Sequence, residues 1–248
     1  MEKIRPSAAA RNAPSAHVSA ARNEFESIQI AVTGQASNVS ATATDLTGPG
    51  GAIPAPRLYR EALIDCPNSS GLDGGTGSWP DGLVPDRDEF VGEKRNAFPF
   101  SVPAGETRAI WAEIFVPSGT AAGDYAGSVR VTWDGGEATV PVTLTVWPFT
   151  LPSTASLKSA FGFSWGAIPA GHGLGTGDDF SALRARYGAL ALDHRVTLSH
   201  VDDGNTSTDH LAAFYGPALD GTAPTRLTGA RMTAYQLMGD ASAWSSAF

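Results

Sequence analysis

Cysteine and long apolar runs are nearly missing from this 248-residue sequence. Cys66 is the only cysteine, so the sequence supports neither an intrachain disulfide nor a cysteine-based metal site. No apolar run approaches the roughly 20 residues that a membrane-spanning helix needs. Lysine and arginine never cluster beyond two neighbours, and the net charge is −8. These features indicate a globular protein for which neither a membrane span nor a nucleic acid is an expected partner.

The common catalytic and cofactor motifs are also missing. No G-x-S-x-G elbow, H-E-x-x-H pair or Cys/His pair occurs. A glycine-rich stretch at 171–177 lies between a predicted strand and a predicted helix. It does not fit the dinucleotide-binding pattern, because Thr176 and Asp178 stand where glycines are required. We therefore expect no cofactor and no metal ligand set.

The first half of the sequence alternates apolar and polar residues along several short segments. This period of two is typical of strands with one buried face, and Asp134-Gly135-Gly136 is a hairpin-turn signal. Several such strands predict an antiparallel β-sandwich of immunoglobulin-like type. The alternating residues are Ile28, Ile30 and Val32; Ile110, Ala112, Ile114 and Val116; Tyr125, Val129, Val131 and Trp133; and Val140, Val142, Leu144 and Val146.

A long stretch at 66–89 has the composition of a loop inserted into the sandwich. One interpretation is a surface loop that packs on a neighbouring domain through Trp79 and Leu83. The other is a Ca²⁺ site, although the EF-hand spacing is absent. The acidic residues available for such a site are Asp73, Asp81, Asp86, Asp88 and Glu89.

The pattern changes after the proline-containing segment 148–152, which predicts a sandwich domain at 1–152 and a second domain at 153–248. Strands are expected at 161–165 and 196–201. A helix beginning near Asp178 or Asp179 lies between them, with Phe180, Leu183, Tyr187 and Leu190 at helical spacing. Residues 204–230 are expected to be irregular, and 241–248 to begin a second helix.

Strand, helix and strand in this order form a βαβ unit with parallel strands. We interpret the second domain as the first part of an α/β (TIM-like) barrel. A complete barrel needs about 250 residues, so the barrel is expected to be incomplete in this chain.

Candidate substrate-binding residues follow the two predicted barrel strands, on the face where barrel enzymes bind substrate. They are Trp165, whose ring can stack on a sugar, and His200 and Asp202, which can bind hydroxyl groups. The structural alternatives remain open: core packing for Trp165, a structural histidine for His200, and a turn for Asp202.

Four segments resemble a bacterial family of glycoside-hydrolase-like proteins that carry a DUF4091 domain. The family is related in architecture to the family 123 β-N-acetylgalactosaminidases. The resemblance extends over nearly the whole chain. The segments are A-R-N-E-F-E-S-I-Q-I at 21–30, W-P-D-G-L-V-P at 79–85, W-A-E-I-F-V-P at 111–117 and A-G-D-Y-A-G at 122–127.

This resemblance implies a sandwich that supports a catalytic barrel through an intramolecular interface, with carbohydrate as the partner. It also implies an extracellular or cell-surface protein, although 1–14 do not form a signal peptide. In the family 123 enzymes the substrate's own N-acetyl group is the nucleophile and two carboxylates assist it. We expect those carboxylates beyond Phe248, so we assign no catalytic residue here and expect this fragment to be inactive.

Two alternatives do not involve catalysis by this chain. In one, the sandwich is a carbohydrate-binding or surface-binding module; in the other, the chain is an inert product. The tryptophans of the sandwich distinguish the first alternative from the supporting role. Burial of Trp79, Trp111 and Trp133 favours support, whereas two or more coplanar rings on an exposed face favour binding.

Overall fold

The computed structural model describes residues 2–11, 13–71, 74–162, 167–175, 181–198 and 208–235. The chain divides into two compact units, Met1–Leu151 and Pro152–Phe248. Within the described residues, strands form the first unit and helices occur in the second.

The described residues of the first unit form eleven strands in two sheets. The strands are β1 (Ala16–Arg22), β2 (Glu24–Thr33), β3 (Ala36–Ala43), β4 (Leu46–Gly48), β5 (Gly51–Ile53), β6 (Arg57–Cys66), β7 (Gly77–Pro85), β8 (Phe100–Val102), β9 (Thr107–Val116), β10 (Gly123–Trp133) and β11 (Gly136–Thr150). The seven-stranded sheet has the order β1-β11-β10-β3-β8, with β4 paired to β10 and β5 paired to β4. The four-stranded sheet has the order β2-β9-β6-β7.

The core lies between the two sheets and follows the predicted alternation. Ile110, Ala112, Ile114 and Val116 of β9 are fully buried and belong to one apolar cluster with side chains from both sheets. Burial of each aliphatic side chain of this size stabilises the fold by about 1.5–3 kcal/mol. The β-sandwich prediction is therefore confirmed.

The β10–β11 hairpin is also confirmed. Trp133 pairs with Gly136, and Asp134 and Gly135 form the two-residue turn between them. Gly135 has a φ of +89°, a backbone conformation that glycine adopts without a steric penalty.

One strand pair departs from the antiparallel prediction, because β1 runs parallel to β11 from Ala16/Val142 to Arg22/Thr150. The reason lies at Asn23, which alone separates β1 from β2 and has a φ of +60°. Asparagine tolerates this left-handed conformation better than most residues. The chain changes sheets there, so β1 forms no hairpin with β2 and pairs with the last strand.

The prediction that 66–89 is a loop is wrong for residues 77–85. Strand β7 lies within it and pairs with β6 from Tyr59/Pro85 to Cys66/Gly77. Pro80 and Pro85 suggested a loop, but β7 is the edge strand and its register shifts opposite Ala62 and Leu63. An edge strand with a bulge accommodates prolines, since a missing N–H there breaks no ladder.

The described part of the second unit contains three helices, α1 (Ala167–Gly171), α2 (Ser181–Asp193) and α3 (Thr208–Asp220). Phe161 and Leu198 form a parallel bridge. This bridge agrees with parallel strands before and after α2, but these residues do not show a closed barrel.

The irregular structure predicted for 204–230 is wrong where α3 lies. Two helices were expected to begin at Asp178 or Asp179 and at residue 241. These positions lie outside the described residues.

Candidate functional site on the outer face of the four-stranded sheet

Polar and aromatic side chains meet on the face of the four-stranded sheet that points away from the core. Strand alternation places Gln29 of β2, Trp111 of β9 and Tyr59 of β6 on this outer face, because Trp111 lies directly opposite the other two. Glu61 lies on the same side, two residues beyond Tyr59, with Leu83 of β7 opposite it. The outer face thus brings together residues from four strands that are distant in the sequence.

Glu61 is the most buried ionisable group of the outer face, with only 6% of its surface exposed. Its Oε1 accepts a hydrogen bond of 2.6 Å from Nε2 of Gln29. Loss of hydration raises the pKa of the Glu61 carboxyl above its ordinary value, and the bond from Gln29 and the charge of Lys3 offset only part of this effect. A carboxyl with a raised pKa in a depression is a candidate functional group.

Trp111 contributes a polar atom without a hydrogen-bond partner among the described residues. Its Nε1 is buried, and the described residues provide no hydrogen-bond acceptor for it. Because an unpaired buried donor costs about 1–3 kcal/mol, such an atom calls for a physical reason. Beside it, Tyr59 donates a long bond of 3.5 Å to Oε1 of Glu113.

An N-terminal arm, residues 2–11, crosses the outer face. The arm is fixed at β9, where the backbone N and Oγ1 of Thr107 donate to the carbonyl oxygens of Pro6 (2.9 Å) and Ala8 (2.8 Å). It is also fixed near β7, where the Arg5 guanidinium lies 4.1 Å above the ring of Trp79. The arm therefore forms one wall of any depression on this face.

A cavity of about 280 Å³ opens between the arm and the sheet. The arm lines it with Glu2 and Lys3. Lys3 Nζ donates to the carbonyl oxygen of Pro80 at 3.2 Å and lies 3.5 Å from a carboxylate oxygen of Asp81. The sheet lines it with Gln29, Glu61, Pro80, Leu83 and Trp111. Carboxyl, amide, ammonium and aromatic groups thus converge on one small volume.

A second aromatic feature lies at the end of β11, on the other sheet. Trp147 and Phe149 are 43% and 51% exposed, with ring centroids 5.8 Å apart and planes within 17° of each other. Two nearly parallel exposed rings are the arrangement expected of a binding surface. Trp147 was not among the tryptophans that the sequence suggested for a binding surface.

The three tryptophans chosen from the sequence do not decide between support and binding. Trp79, Trp111 and Trp133 are each half-buried. Trp79 lies beneath Arg5, and Trp133 packs against the core. None of them is either a fully buried core residue or part of an exposed platform.

The predicted substrate-binding residues Trp165, His200 and Asp202 all lie outside the described residues. Their sequence neighbours Phe161 and Leu198 do pair, and Phe161 N donates to the carbonyl oxygen of Thr197 at 2.9 Å.

The alternative of a Ca²⁺ site in 66–89 gains no support from the described residues, which contain no metal-competent group of three or more His, Cys, Asp or Glu side chains. Asp73 lies outside them. Asp88 and Glu89 instead pair with Arg95 and Arg57. None of the described helices is long and apolar enough to cross a membrane.

Sequence reasoning missed Glu61 and Gln29 as a pair. Each lies on a strand with alternating polarity, which is a detectable signal. Their contact depends on the strand order β2-β9-β6, however, and that order is a property of the folded sheet.

The model of the glycoside hydrolase 123 N-terminal domain matches residues 2–133 of the chain. This is just over half of the chain and falls within the first unit. No curated protein matches the chain.

Among solved structures, a family 123 glycoside hydrolase from Clostridium perfringens, analysed for hydrolysis of glycolipid glycans, matches with a TM-score of 0.61 at 15% identity. The match covers 76% of this chain and 34% of that one. The N-terminal domain of PorA (TM-score 0.25, 12% identity, covering 60% of this chain and 99% of that chain) also matches. So does the CooA pilin subunit of enterotoxigenic Escherichia coli (TM-score 0.24, 14% identity, covering 54% and 92%).

Proposed function

Because this chain belongs to the family of glycoside hydrolase 123 N-terminal domains, we propose that it is part of a protein that hydrolyses glycans. In this proposal the sandwich supports a catalytic α/β barrel. The 248-residue chain alone does not hydrolyse glycans, and none of its residues is assigned a catalytic role.

The observation that carries this proposal is the position of the family match. Residues 2–133 include β1 to β10 and therefore nearly all of the sandwich. The shared fold with the family 123 enzyme supports the proposal, although this chain spans only about a third of that enzyme's length. The enzyme's action on glycolipid glycans makes the same class of glycan the first substrate to test.

The proposal includes the finer features that the resemblance implies. The sandwich is of immunoglobulin-like type, the second unit begins a TIM-like barrel, and the protein works at or outside the cell surface. Trp165, His200 and Asp202 contact the sugar. The parallel bridge between Phe161 and Leu198 supports the barrel interpretation, since parallel strands joined through a helix are the unit of such a barrel.

The test compares the full gene product with the 248-residue chain on an aryl N-acetyl-β-galactosaminide and on oligosaccharides from glycolipids. We expect hydrolysis by the full gene product and none by the chain alone. In the full gene product, Trp165→Ala, His200→Ala and Asp202→Asn should each raise KM by about tenfold, the loss expected from one good polar or stacking contact. Asp209→Asn, at an exposed position on α3, is the matched control.

Failure of the full gene product to cleave any of these glycans would reject the hydrolase proposal. Unchanged KM values in all three variants would reject the substrate-binding assignments while leaving hydrolysis intact.

A second candidate function is a carbohydrate-binding or surface-binding sandwich without catalysis. One observation favours it, the exposed and nearly parallel rings of Trp147 and Phe149. Exposed aromatic pairs bind the apolar faces of sugar rings or apolar protein surfaces. Retention of the chain on immobilised glycans, with loss of retention in Trp147→Ala, would favour this function, whereas equal retention of both proteins would oppose it.

A further inference from the structure

The cavity on the outer face of the four-stranded sheet is a candidate site formed by the first unit alone. We propose that it binds one neutral, hydroxyl-rich ring, a single monosaccharide unit, through Glu61, Gln29 and Trp111. The binding is a property of the sandwich itself and does not depend on the proposed hydrolysis.

The unused hydrogen-bonding capacity of the cavity requires a ligand that both donates and accepts. A carboxylate has about four acceptor positions. In the described residues Glu61 uses one of them, for the 2.6 Å bond from Gln29. The buried Nε1–H of Trp111 has a proton to donate and no acceptor. Hydroxyl groups satisfy both atoms at once, because each can donate to Glu61 or accept from Trp111.

The charges around the cavity favour a neutral ligand. Lys3 lies 3.5 Å from Asp81, and Arg11 lies 2.8 Å from Glu2, so the charges at the rim are already paired. An anion would meet the carboxyl of Glu61, and Lys3, the cation among the described lining residues, is already paired. A cation would leave the indole N–H of Trp111 unsatisfied, because a cation accepts no hydrogen bond.

The size and walls of the cavity suit one sugar ring. Its volume of about 280 Å³ is near the lower end of the range of about 300–1,000 Å³ that is typical of small-molecule pockets. Pro80, Leu83 and the ring of Trp111 supply apolar walls. A pyranose presents hydroxyl groups at its edge and C–H groups on its face, so it matches polar groups and apolar walls together.

Access to the indole nitrogen requires one side chain to move. Nε1 of Trp111 is closed to solvent, and Gln29 lies directly opposite Trp111 on β2. The proposal requires the Gln29 side chain to rotate, so that a ligand oxygen can reach this nitrogen. Ligand binding therefore changes the environments of the Trp111 indole and the Gln29 amide together.

The experiment is a titration of the ¹⁵N-labelled chain followed by NMR. The probes are N-acetyl-D-galactosamine and D-galactose, and glycerol serves as a hydroxylated compound without a ring. The Trp111 indole resonance is identified by its loss in Trp111→Phe. We expect one of the sugars to shift this resonance and the Gln29 side-chain amide resonances saturably, with a Kd on the order of 1 mM, whereas glycerol leaves them unchanged.

Two variants distinguish a ligand site from a general effect on the fold. Glu61→Ala removes the acceptor and should weaken sugar binding at least tenfold. Glu61→Gln keeps one acceptor and should weaken it less, so it remains informative if Glu61→Ala does not fold. Glu137→Gln, which removes a carboxylate paired with Arg130 on the other sheet, should bind like the parent chain.

The proposal is overturned if neither sugar shifts the Trp111 resonance, or if Glu61→Ala and Glu61→Gln bind as tightly as the parent chain. Either result leaves the hydrolase proposal untouched, because hydrolysis is measured separately on the full gene product. Conversely, binding here by a protein without hydrolase activity would support this site alone.

Discussion

Two carboxyl side chains are buried among the described residues, and they accept hydrogen bonds from different kinds of donor. Asp193 at the end of α2 accepts hydrogen bonds from the backbone N–H groups of Arg226 (2.7 Å) and Leu227 (3.2 Å). Glu61 accepts its bond from the neutral amide of Gln29. A carboxylate held by a single neutral donor loses more hydration energy than it regains, so Glu61 opposes folding when it is ionised.

We therefore predict that Glu61→Gln stabilises the sandwich at alkaline but not at acidic pH. Burial raises the pKa of Glu61 in the folded chain above its ordinary value of 4.5, so the folded state holds this proton more tightly than the unfolded state does. The Glu61 carboxyl thus destabilises the fold least at pH values below its ordinary pKa. Its contribution to stability falls as the pH rises through the folded-state pKa. The melting temperature of Glu61→Gln should exceed that of the parent chain at pH 8 and match it at pH 4.

Thermal unfolding followed by circular dichroism at both pH values measures this difference, with Glu137→Gln as the control for loss of an exposed carboxylate. The same gain in melting temperature at pH 4 and pH 8 would show that ionisation of Glu61 is not its cause.

The core permits a second prediction, for Leu144 on β11, which has no exposed surface. Leu144→Ala should lower the free energy of unfolding of the sandwich by about 2–5 kcal/mol, because it removes buried methyl groups and leaves a cavity. Val91→Ala, at a site that is 44% exposed, should change it by less than about 0.5 kcal/mol. Urea denaturation of both variants is the measurement, and equal losses would contradict the assignment of Leu144 to the core.

Individual core residues could be predicted from the sequence, whereas the members of the outer-face cavity could not. Val142, Leu144 and Val146 alternate with polar residues, and this local period fixes their direction. The same alternation assigns Glu61 and Trp111 to the side of their strands that points away from the core. That they meet Gln29 and the N-terminal arm depends on pairing between distant segments, and no local pattern encodes that pairing.

Among the elements, the segment after β7 is a short hairpin held by Asp88. Oδ1 of Asp88 accepts from the backbone N–H groups of Phe90 (2.9 Å) and Val91 (3.1 Å), and Oδ2 accepts from Nη2 of Arg95 at 2.9 Å. The bond from Arg95, followed by those backbone bonds, holds the pKa of Asp88 below its ordinary value. The carboxylate therefore fixes a turn whose tip presents two apolar side chains.

We predict that Asp88→Ala loosens this turn, while Asp88→Asn keeps most of it. Loss of the bonds to Phe90 and Val91 costs about 1 kcal/mol, which corresponds to a roughly fivefold faster exchange of their amide hydrogens. Asparagine retains an acceptor oxygen, so these amide hydrogens should exchange more slowly in Asp88→Asn than in Asp88→Ala. Hydrogen exchange followed by NMR measures this, and equal rates in the parent chain and Asp88→Ala would contradict the role of the carboxylate.

Elements rich in proline and glycine were the hardest to predict. Gly216 and Pro217 lie inside α3, and both residues disfavour a helix in isolation. Pro80 and Pro85 similarly favoured a loop in the sequence where the structure has β7. In these segments tertiary contacts outweigh local propensity, since packing against neighbours stabilises an element more than one unfavourable residue destabilises it.

For the whole molecule, the first unit has a self-contained core. Every buried member of its apolar cluster lies between Ala20 and Val146. We therefore predict that residues 1–151 fold without the rest of the chain, because a domain with its own core is an independent folding unit. The fragment should unfold in one cooperative transition and give dispersed amide resonances.

Circular dichroism and a two-dimensional NMR spectrum of the fragment are the measurements. A fragment with collapsed resonances and a broad, non-cooperative transition would show that the sandwich needs residues after 151.

How far the sequence predicts the whole molecule differs between the units. The sandwich follows from strand alternation and turns, which are local signals repeated many times. The resemblance to glycoside-hydrolase-like proteins is consistent with the family match. The barrel interpretation and the roles of Trp165, His200 and Asp202 remain predictions, because they depend on how several βα units assemble.

The parallel pairing of β1 with β11 also determines how the sandwich carries mechanical load. The chain enters this ladder at Ala16 and leaves it at Thr150, at opposite ends. Tension applied at Ala16 and Thr150 therefore pulls the strands past each other in shear, and the ladder bonds must break together rather than one by one. In this geometry the backbone hydrogen bonds between the first and last strands resist the pull together.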